Sequence, residues 1–543
     1  MKKIILPLLL ASSFAFGQVF GSDSHFTKQD TLKGSNTKFR NFWDVKKYEL
    51  SVEPNFELKS IQGNNKISFV ITQDVVDPVF QIDLQQPMKA DKVDCSFSTK
   101  EKFIQEGDFI YIKSNQKFKK GEKYNITISY SGNPIVANNA PWDGGWVFKK
   151  DKNGNPWMSV ADEGIGASVW LPTKDIWSDE PDDGIIMKIV TPKDLVGVGN
   201  GRLISTTTQN GKTTYTWEVK NPINAYSIIP NIGKYVNFKD HYKGEKGNLD
   251  LDYWVLDYNL EKAKKQFQQV KPMLSAFEYW FGPYPFYEDS YKLVDSPYLG
   301  MEHQSNIAYG NGYTNGYLGR DLSGTGVGLY WDYIIIHESG HEWFANNITA
   351  KDQADMWIHE AFTMYSEVLF TEKFLDKKSA DIYALGIRHN ISNDIPIIGK
   401  YGVRNEGSGD MYYKGASMVH TIREIINNDE KFRSILRGLN KDFYHQTVTT
   451  QQIEKYISEK AGFDFTSIFY QYLRTIDIPT LEYIQTGNEF KFRYVNAVKD
   501  LKLPIRLDGN TIIPTADWQT VQLKSTAPVN FNNNYYIHYK NVI

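Results

Sequence analysis

Two histidines four residues apart form a candidate metal-binding pair in this sequence. They begin and end the pentapeptide His-Glu-Ser-Gly-His at positions 337–341, within a segment whose pattern predicts a helix from Leu329 to Phe344. On a helix, side chains at i and i+4 lie on one face, so both imidazoles can bind one ion, and neutral imidazole is a good zinc ligand. Glu338 is rotated by about 100° from His337 on such a helix. Its carboxylate is therefore expected beside the metal, where it can take a proton from water.

Glu360 is the candidate for the third protein ligand that a catalytic zinc site needs. Eighteen residues separate it from His341, and it begins a second segment with a helical pattern, predicted from Met356 to Phe374. Glu367 follows on the same face, where it could hydrogen-bond a ligand imidazole from behind. The alternative for Glu367 is a solvated helix carboxylate. The sequence predicts one Zn²⁺ per chain, bound by His337, His341 and Glu360, with an open fourth position.

The helices that must hold these ligands lie between two regions of β pattern. Residues 40–235 alternate apolar and polar side chains, which predicts antiparallel sheets packed as a saddle or sandwich. Helical periodicity begins near Leu260 and dominates from about 325 to 475, and short strands return after Pro479. We therefore predict a multidomain α+β chain. Its parts are an N-terminal β domain at 18–240, a mainly helical zinc-binding catalytic domain at 241–476, and a small C-terminal β domain at 477–543.

The first seventeen residues have the composition of a signal peptide. Lys2 and Lys3 precede an apolar run at 4–11, and small residues at 15–17 suit a signal peptidase. The run is too short to span a bilayer, although a membrane anchor is the alternative. We expect cleavage before Gln18 and a periplasmic or extracellular location, without membrane insertion.

Composition excludes some other classes of protein. The chain has 543 residues, 41% of them hydrophobic, and a formal charge of −3, which gives no bulk field to attract nucleic acid. Cys95 is the only cysteine, so an intrachain disulfide is impossible, and a packed or surface thiol is its expected state. The fold must be held by its cores and by any bound metal.

Four motifs in order carry a resemblance to a known family. One is the helical motif at 337–341 together with Trp-Ile-His-Glu-Ala-Phe at 357–362, which follows it at the expected distance. Upstream, Phe-Gly-Pro-Tyr-Pro-Phe at 281–286 leads into Leu-Gly-Met-Glu-His at 299–303, and downstream lies Tyr-Tyr-Lys-Gly-Ala at 412–416. Together they cover roughly 280 to 420. This segment resembles the aminopeptidase N family of gluzincins, which implies a thermolysin-like catalytic domain.

The resemblance implies a role for each matching residue. It implies a zinc-dependent aminopeptidase that acts on peptides with a free N-terminus, with Glu338 as general base. Glu302 would bind the substrate α-ammonium, and Gly300 and Met301 belong to the same substrate-binding motif. Tyr412 would donate a hydrogen bond to the oxyanion of the transition state.

The sequence also departs from the family pattern at several positions. Gly300 stands where the family has Ala, and His303 where it has Asn; we expect neither His303 nor His359 to bind zinc. In the segment at 163–172, Glu163 occupies the position of a Gln that lines the first substrate pocket. Glu163 could be a second anchor for the ammonium, could favour a basic first side chain, or could be an ordinary loop carboxylate.

Three other functions remain open at this point. A thermolysin-like endopeptidase shares the metal site but needs no carboxylate for a terminal amine. A leukotriene-type epoxide hydrolase belongs to the same family, and a non-catalytic peptide-binding scaffold would normally have lost the base, a ligand or the phenol.

Overall fold

The computed structural model describes residues 25–98 and 102–543. The predicted signal peptide at 1–17 and the predicted cleavage before Gln18 lie outside the described residues. The order of elements is β, then mainly helical, then β. This order confirms the predicted fold class.

The N-terminal region is built on a seven-stranded sheet whose apolar face is buried. Neighbouring strands are antiparallel except for one parallel pair, formed by Trp43–Asn55 and Ile185–Pro192. A parallel pair needs a long crossover connection, which residues 56–184 provide, so the purely antiparallel expectation fails at this one ladder. In spatial order the strands are Arg202–Gln209, Lys212–Val219, Ile185–Pro192, Trp43–Asn55, Ser60–Ile71, Lys123–Gly132 and Lys89–Cys95.

Smaller sheets complete the N-terminal region. A four-stranded sheet comprises Gly145–Lys150, Pro156–Ala161, Asn231–Gly233 and Val196–Val198. A three-stranded sheet comprises Val79–Asp83, Phe109–Lys113 and Lys102–Glu106, and a short ladder pairs Val75–Val76 with Lys117–Phe118. Their apolar faces share one buried core with the seven-stranded sheet.

The catalytic region begins with a five-stranded sheet. Its strands, in spatial order, are Tyr235–Gly244, Gly247–Leu256, Tyr291–Asp295, Ile307–Tyr309 and Gly300–Met301. The predicted domain boundary at residue 240 therefore falls inside the first of these strands. The last strand carries the predicted Gly-Met-Glu motif to the edge of this sheet, beside the helices.

Helices are the main regular elements of the catalytic region. They are Leu260–Gln266, Val270–Phe281, Tyr333–Gly340, Trp357–Phe374, Lys377–Gly386, Tyr413–Ile426, Asp429–Asp442, Thr450–Ala461 and Thr466–Arg474; Lys28–Gly34 lies near the N-terminus. A short parallel ladder joins Ile348–Ala350 to Gln446–Val448. Within the two described ranges, no helix is both long and apolar enough to cross a membrane.

Two of these helices carry the predicted metal ligands, and both are buried. The first ligand helix, Tyr333–Gly340, begins later than predicted because the Asp332 carboxylate accepts hydrogen bonds from the backbone N–H groups of Ile334 and Ile335 and caps it there. The second ligand helix, Trp357–Phe374, is buried from Trp357 to Thr371. Burial on all sides fixes the direction in which each ligand side chain points.

The C-terminal strands pack on the helices as part of the same core. Gln519–Gln522, Glu489–Val495, Thr480–Thr486 and His538–Asn541 form one sheet, and Ile505–Leu507 pairs with Asn510–Ile512. Leu481, Phe490 and Tyr494 belong to the same buried cluster as the ligand helices. The core is therefore continuous across the predicted boundary at residue 476.

Candidate metal centre and active site

His337 of the first ligand helix, His341 at its C-cap and Glu360 of the second ligand helix converge at one point. The Nε2 atoms of His337 and His341 lie 3.3 Å apart. Oε2 of Glu360 lies 3.6 Å from Nε2 of His337 and 3.5 Å from Nε2 of His341. Four ligands placed tetrahedrally at zinc bond lengths stand about 3.3–3.5 Å from one another. The three donors thus have the spacing of a tetrahedral zinc site.

The chemistry of the donors fits the same ion. Oε2 of Glu360 is buried and has no hydrogen-bond partner among the described residues, although an ionised oxygen in such a place requires one. Two imidazole nitrogens and one carboxylate oxygen form a common ligand set of catalytic zinc. His337, His341 and Glu360 would hold the ion, and the fourth position would face the substrate.

The other ring nitrogen of His337 is occupied by a carboxylate. Nδ1 of His337 lies 2.7 Å from Oε1 of Glu367, with the Tyr333 hydroxyl at 3.2 Å. Oε2 of Glu367 in turn accepts a hydrogen bond of 2.5 Å from the Tyr383 hydroxyl. With its proton on Nδ1, His337 presents the lone pair of Nε2 to the metal position.

His341 is oriented in the same way by neutral groups. Its Nδ1 lies 3.0 Å from the carbonyl oxygen of Phe344, which can only accept a hydrogen bond, and 3.1 Å from the Thr363 hydroxyl. The proton is therefore on Nδ1, and Nε2 is free to bind metal. Both imidazoles are thus fixed in the tautomer that a zinc ligand requires.

Glu338 lies beside the ligands. One of its carboxylate oxygens is within 4.8 Å of a ring nitrogen of both histidines. Burial raises the pKa of Glu338 to about 8, against the opposing charge of His337. Gly300 passes so close that a Cβ there would stand 2.8 Å from Oε1 of Glu338. The glycine that replaces the family's alanine therefore leaves room for this carboxylate.

The two adjacent phenols at the start of the helix Tyr413–Ile426, where Tyr412 is the N-cap residue, have different neighbours. The Tyr412 ring stacks beside His337, with centroids 6.1 Å apart. Burial raises the pKa of Tyr412 well above its usual range, and the negative charges of Glu360 and Glu163 raise it further. For Tyr413, the pKa is raised by burial and then by Glu367, which lies behind His337. Of the two phenols, Tyr412 is the one whose ring stacks on a predicted metal ligand.

Glu302 directly follows the edge strand Gly300–Met301 and is buried between the N-terminal β region and the catalytic region. Its Oε1 accepts a hydrogen bond of 3.0 Å from the hydroxyl of Tyr226, a residue of the N-terminal region. Its backbone carbonyl accepts a hydrogen bond of 2.8 Å from Nδ2 of Asn346. Met301 packs in a small apolar cluster with Tyr298 and other residues. The carboxylate is therefore held at a fixed place.

Glu163 extends from an N-terminal loop to the same place. Burial, and then the adjacent Glu302 carboxylate, raise the pKa of Glu163 well above its usual range, and Glu360 and Glu406 contribute. Oε1 of Glu163 is buried and has no hydrogen-bond partner within the described part of the chain. Burial, together with the negative charge of Glu360, raises the pKa of Glu406 to about 7. The site thus contains more carboxylates than the metal needs.

Family models match most of this architecture. The Peptidase M1 N-terminal domain matches residues 45–227, and the Peptidase family M1 domain matches residues 258–472, which include all three predicted metal ligands. The chain belongs to peptidase family M1. The family resemblance predicted from the four motifs is confirmed.

Individual M1 relatives are distant in sequence. Aminopeptidase B of Rattus norvegicus is 25% identical over 272 residues, which cover 47% of this chain and 39% of that protein. Leukotriene A-4 hydrolase of Xenopus laevis is 23% identical over 289 residues, which cover 50% of this chain and 44% of that protein. The matches thus span about two fifths of the length of these curated relatives.

A solved M1 structure has the same fold over nearly its whole length. The crystal structure of an M1 zinc metallopeptidase from Deinococcus radiodurans superposes with a TM-score of 0.69 at 18% identity. The superposition covers 82% of this chain and 96% of that chain. The β and helical regions described above are thus the architecture of this M1 structure.

Two other histidines near the M1 motifs lie outside the group of metal donors. Nε2 of His359 accepts a hydrogen bond of 2.8 Å from the backbone N–H of Ala350, and its ring stacks on Trp177. His303 is fully buried, and burial lowers its pKa to about 3, so the ring is neutral. Neither belongs to the donor cluster that the described residues form.

Sequence reasoning missed several groups that contact the site. Tyr226 holds Glu302, Tyr333 and Thr363 contact the ligand imidazoles, and Glu406 adds a carboxylate. Tyr333 and Thr363 each lie within four residues of a ligand on the same helices, so helical spacing could have identified them. Tyr226 and Glu406 lie outside any motif and are brought to the site by tertiary folding alone.

Proposed function

We propose that this M1 protein is a zinc-dependent aminopeptidase that hydrolyses the first peptide bond of peptides with a free N-terminus. The observation that carries the proposal is the pair of carboxylates, Glu163 and Glu302, next to the metal ligands. Neither forms an ion pair with any residue in the described ranges. Two adjacent carboxylates without a cation, Glu302 buried and Glu163 half-buried, form a site that lacks its positive partner.

A peptide's α-ammonium group supplies that positive charge. A carboxylate about 3 Å from an ammonium contributes roughly 5 kcal/mol at an effective dielectric near 20, before desolvation costs are subtracted. An acylated N-terminus has no charge and adds bulk at Glu302. Both effects select substrates whose first residue has a free amine.

The reaction follows from the positions of the other side chains. Bound zinc supplies a Lewis acid that polarises the scissile carbonyl and lowers the pKa of water. Glu338 accepts a proton from the attacking water and returns it to the leaving amine. The Tyr412 hydroxyl donates a hydrogen bond to the oxygen that gains negative charge in the transition state.

Product analysis tests this proposal directly. Zinc-loaded protein is incubated with an unmodified hexapeptide, and products are followed by mass spectrometry. We expect single residues to be released in order from the N-terminus. A chelator should stop the reaction and added zinc should restore it. Internal fragments as first products would favour an endopeptidase, and no cleavage with full zinc occupancy would favour a binding scaffold.

We further propose that the protein is exported and cleaved before Gln18. The positive start at Lys2 and Lys3, the apolar run and the small residues at 15–17 support this. Intact mass of the protein from its native host is the test. Mature protein in the periplasm or medium that still retains residues 1–17 would contradict the cleavage, and purely cytoplasmic protein would contradict the export.

A further inference from the structure

Arg404, in the catalytic region, binds the loop at residues 163–168 that carries Glu163. Nη1 of Arg404 donates to the carbonyl oxygen of Ile165 at 2.8 Å, two residues from Glu163. The same guanidinium forms a two-pronged ion pair with Asp175, with Nη2 at 2.8 Å from Oδ1 and Nη1 at 3.2 Å from Oδ2. Nη2 also donates to the Asp175 carbonyl oxygen at 3.0 Å. One side chain thus makes four contacts across the domain interface.

The Arg404 contact is buried and tightly enclosed. The side chains of Arg404 and Asp175 are 9% and 2% exposed. A Cβ on Gly166 would collide with the guanidinium, so only glycine lets the loop pass. Oδ2 of Asp175 also accepts hydrogen bonds from the backbone N–H and the hydroxyl of Ser168, at 3.1 and 2.6 Å. Asp175 therefore links Arg404 to the far end of the same loop.

The backbone of Arg404 itself is unusual. Its φ is +53°, in the left-handed region that side chains with a Cβ seldom adopt. Although burial opposes ionisation of Asp175, the Arg404 charge and its hydrogen bonds hold the pKa of Asp175 below its usual range. The contact is therefore a fully ionised pair formed at a conformationally costly position, as functional positions often are.

A second catalytic-region side chain holds the same loop from the other side. Nε2 of Gln353 donates to the carbonyl oxygen of Glu163 at 3.0 Å. Gln353 begins the short turn Gln353–Asp355, which leads directly into the second ligand helix. The backbone of Glu163 is thus connected to the helix that carries Glu360.

We propose that Arg404, supported by Gln353, is a positioning residue that sets where the Glu163 carboxylate stands relative to Glu302 and so completes the ammonium site across the domain interface. This inference rests on the proposed function, because it concerns the site that would bind the substrate amine. The planar guanidinium can reach Ile165 and both carboxylate oxygens of Asp175 together. The three donors of a lysine ammonium all lie on one nitrogen, so it cannot span these acceptors in the same way. Arg404→Lys should therefore keep the charge and loosen the loop.

Binding to a catalytically blocked, zinc-loaded protein tests this without relying on hydrolysis. The parent is Glu338→Gln, and calorimetry gives the Kd of a free-amine tripeptide and of its N-acetylated form. Adding Arg404→Lys should weaken binding of the free-amine peptide by about three- to fivefold, no more than the loss expected for Glu163→Gln itself, because Arg404 acts through that residue. Binding of the acetylated peptide should change by less than about twofold.

A double-mutant cycle distinguishes positioning from general damage. If Arg404 acts through Glu163, Arg404→Lys should have almost no further effect once Glu163→Gln is present. Gln353→Met removes one hydrogen bond to the same loop and should weaken binding of the free-amine peptide by a smaller factor. This variant replaces the Arg404 variant in the test if the latter does not fold. Zinc content should remain at one equivalent in every variant.

Arg423 offers a matched control. It is also a buried two-pronged arginine, bonded to Glu372 at 2.7 and 3.0 Å, but it lies away from the Glu163 loop. Arg423→Lys should lower the melting temperature without changing the ratio of the two Kd values.

Two outcomes overturn the inference. Equal losses for free and acetylated peptides, or losses that add fully to those of Glu163→Gln, would give Arg404 a structural role only. If the parent itself binds both peptides equally, the proposed ammonium site fails as well, and the two failures are thereby distinguished.

Discussion

The metal ligands and the carboxylate pair are neighbours in space but are assembled in different ways. His337, His341 and Glu360 come from two adjacent helices within one stretch of 24 residues. Glu163 and Glu302 come from different domains and are 139 positions apart in the sequence. Helical geometry alone fixes the spacing of the two histidines, whereas the carboxylate pair exists only after the domains have packed.

This difference assigns separate tasks to local and tertiary structure. The ligand helices are buried where they carry the ligands, and hydrogen bonds to Glu367 and to the Phe344 carbonyl fix both imidazoles. The carboxylate pair depends on contacts between domains, among them the hydrogen bond from Tyr226 to Glu302. Changes in the first region should therefore affect chemistry or metal, and changes in the second should affect the choice of substrate.

The largest effect should come from Glu338→Gln. The change is nearly isosteric and removes the proton acceptor, so kcat should fall by roughly 10²–10⁴ while zinc stays bound. Rates on a free-amine peptide and metal analysis are the measurements. Glu342→Gln, a buried carboxylate four residues on that accepts a hydrogen bond from the Ser305 backbone, is the matched control. Loss of zinc from the Glu338 variant would show that this residue is a ligand and not the base.

A smaller loss is expected for Tyr412→Phe. Removing one donor to the developing oxyanion should lower kcat by about 10²–10³ and leave KM nearly unchanged. Tyr413→Phe is the neighbouring control, because that phenol lies toward Glu367. If the Tyr413 variant is the inactive one, the phenols have been assigned the wrong way round.

Metal affinity should be affected by Glu367→Gln. The carboxylate that holds Nδ1 of His337 would be replaced by a neutral amide, which should weaken zinc binding by about 10–100-fold. Competition with a chelating dye measures the affinity. Glu372→Gln, on the same helix but bonded to Arg423, should change stability and not zinc affinity. Unchanged affinity in the Glu367 variant would make this residue structural.

The smallest effect should come from Glu163→Gln. Loss of one of two charges near the amine should lower kcat/KM for free-amine peptides by about 3–10-fold, the range for a partly exposed ion pair of roughly 1 kcal/mol. Kinetics with a free-amine and an acetylated peptide provide the comparison. An equal change for both would remove Glu163 from the ammonium site and separate it from Glu302.

The structure also shows why some features could be predicted from the sequence and others could not. The order of β and helical regions follows from hydrophobic periodicity, a local property, and it is confirmed. The start of the first ligand helix was predicted too early, although Asp332 before an apolar run is a recognisable N-cap. The parallel pairing of Trp43–Asn55 with Ile185–Pro192 joins strands more than 100 residues apart, and no local pattern specifies it.

The site divides along the same line. Helical spacing was sufficient to propose the two histidines, and Glu360 and Glu367 were proposed from one helical segment that begins eighteen residues after His341. Tyr226 lies 76 residues from Glu302 and has no motif around it, so its hydrogen bond appears only in the folded chain. Arg404 is likewise separated by more than 200 residues from the loop it holds. Interdomain contacts of this kind depend on packing, which the spacing of residues in one sequence does not encode.

Under the proposed function, Glu302 makes this M1 protein select substrates with a free N-terminal amine. The measurement is kcat/KM for one peptide with and without N-acetylation, in the wild type and in Glu302→Ala. The wild type should strongly prefer the free peptide, and Glu302→Ala should lose most of that preference while zinc stays at one equivalent. If the wild type cleaves the acetylated peptide as well as the free one, the exopeptidase account is contradicted and an endopeptidase takes its place.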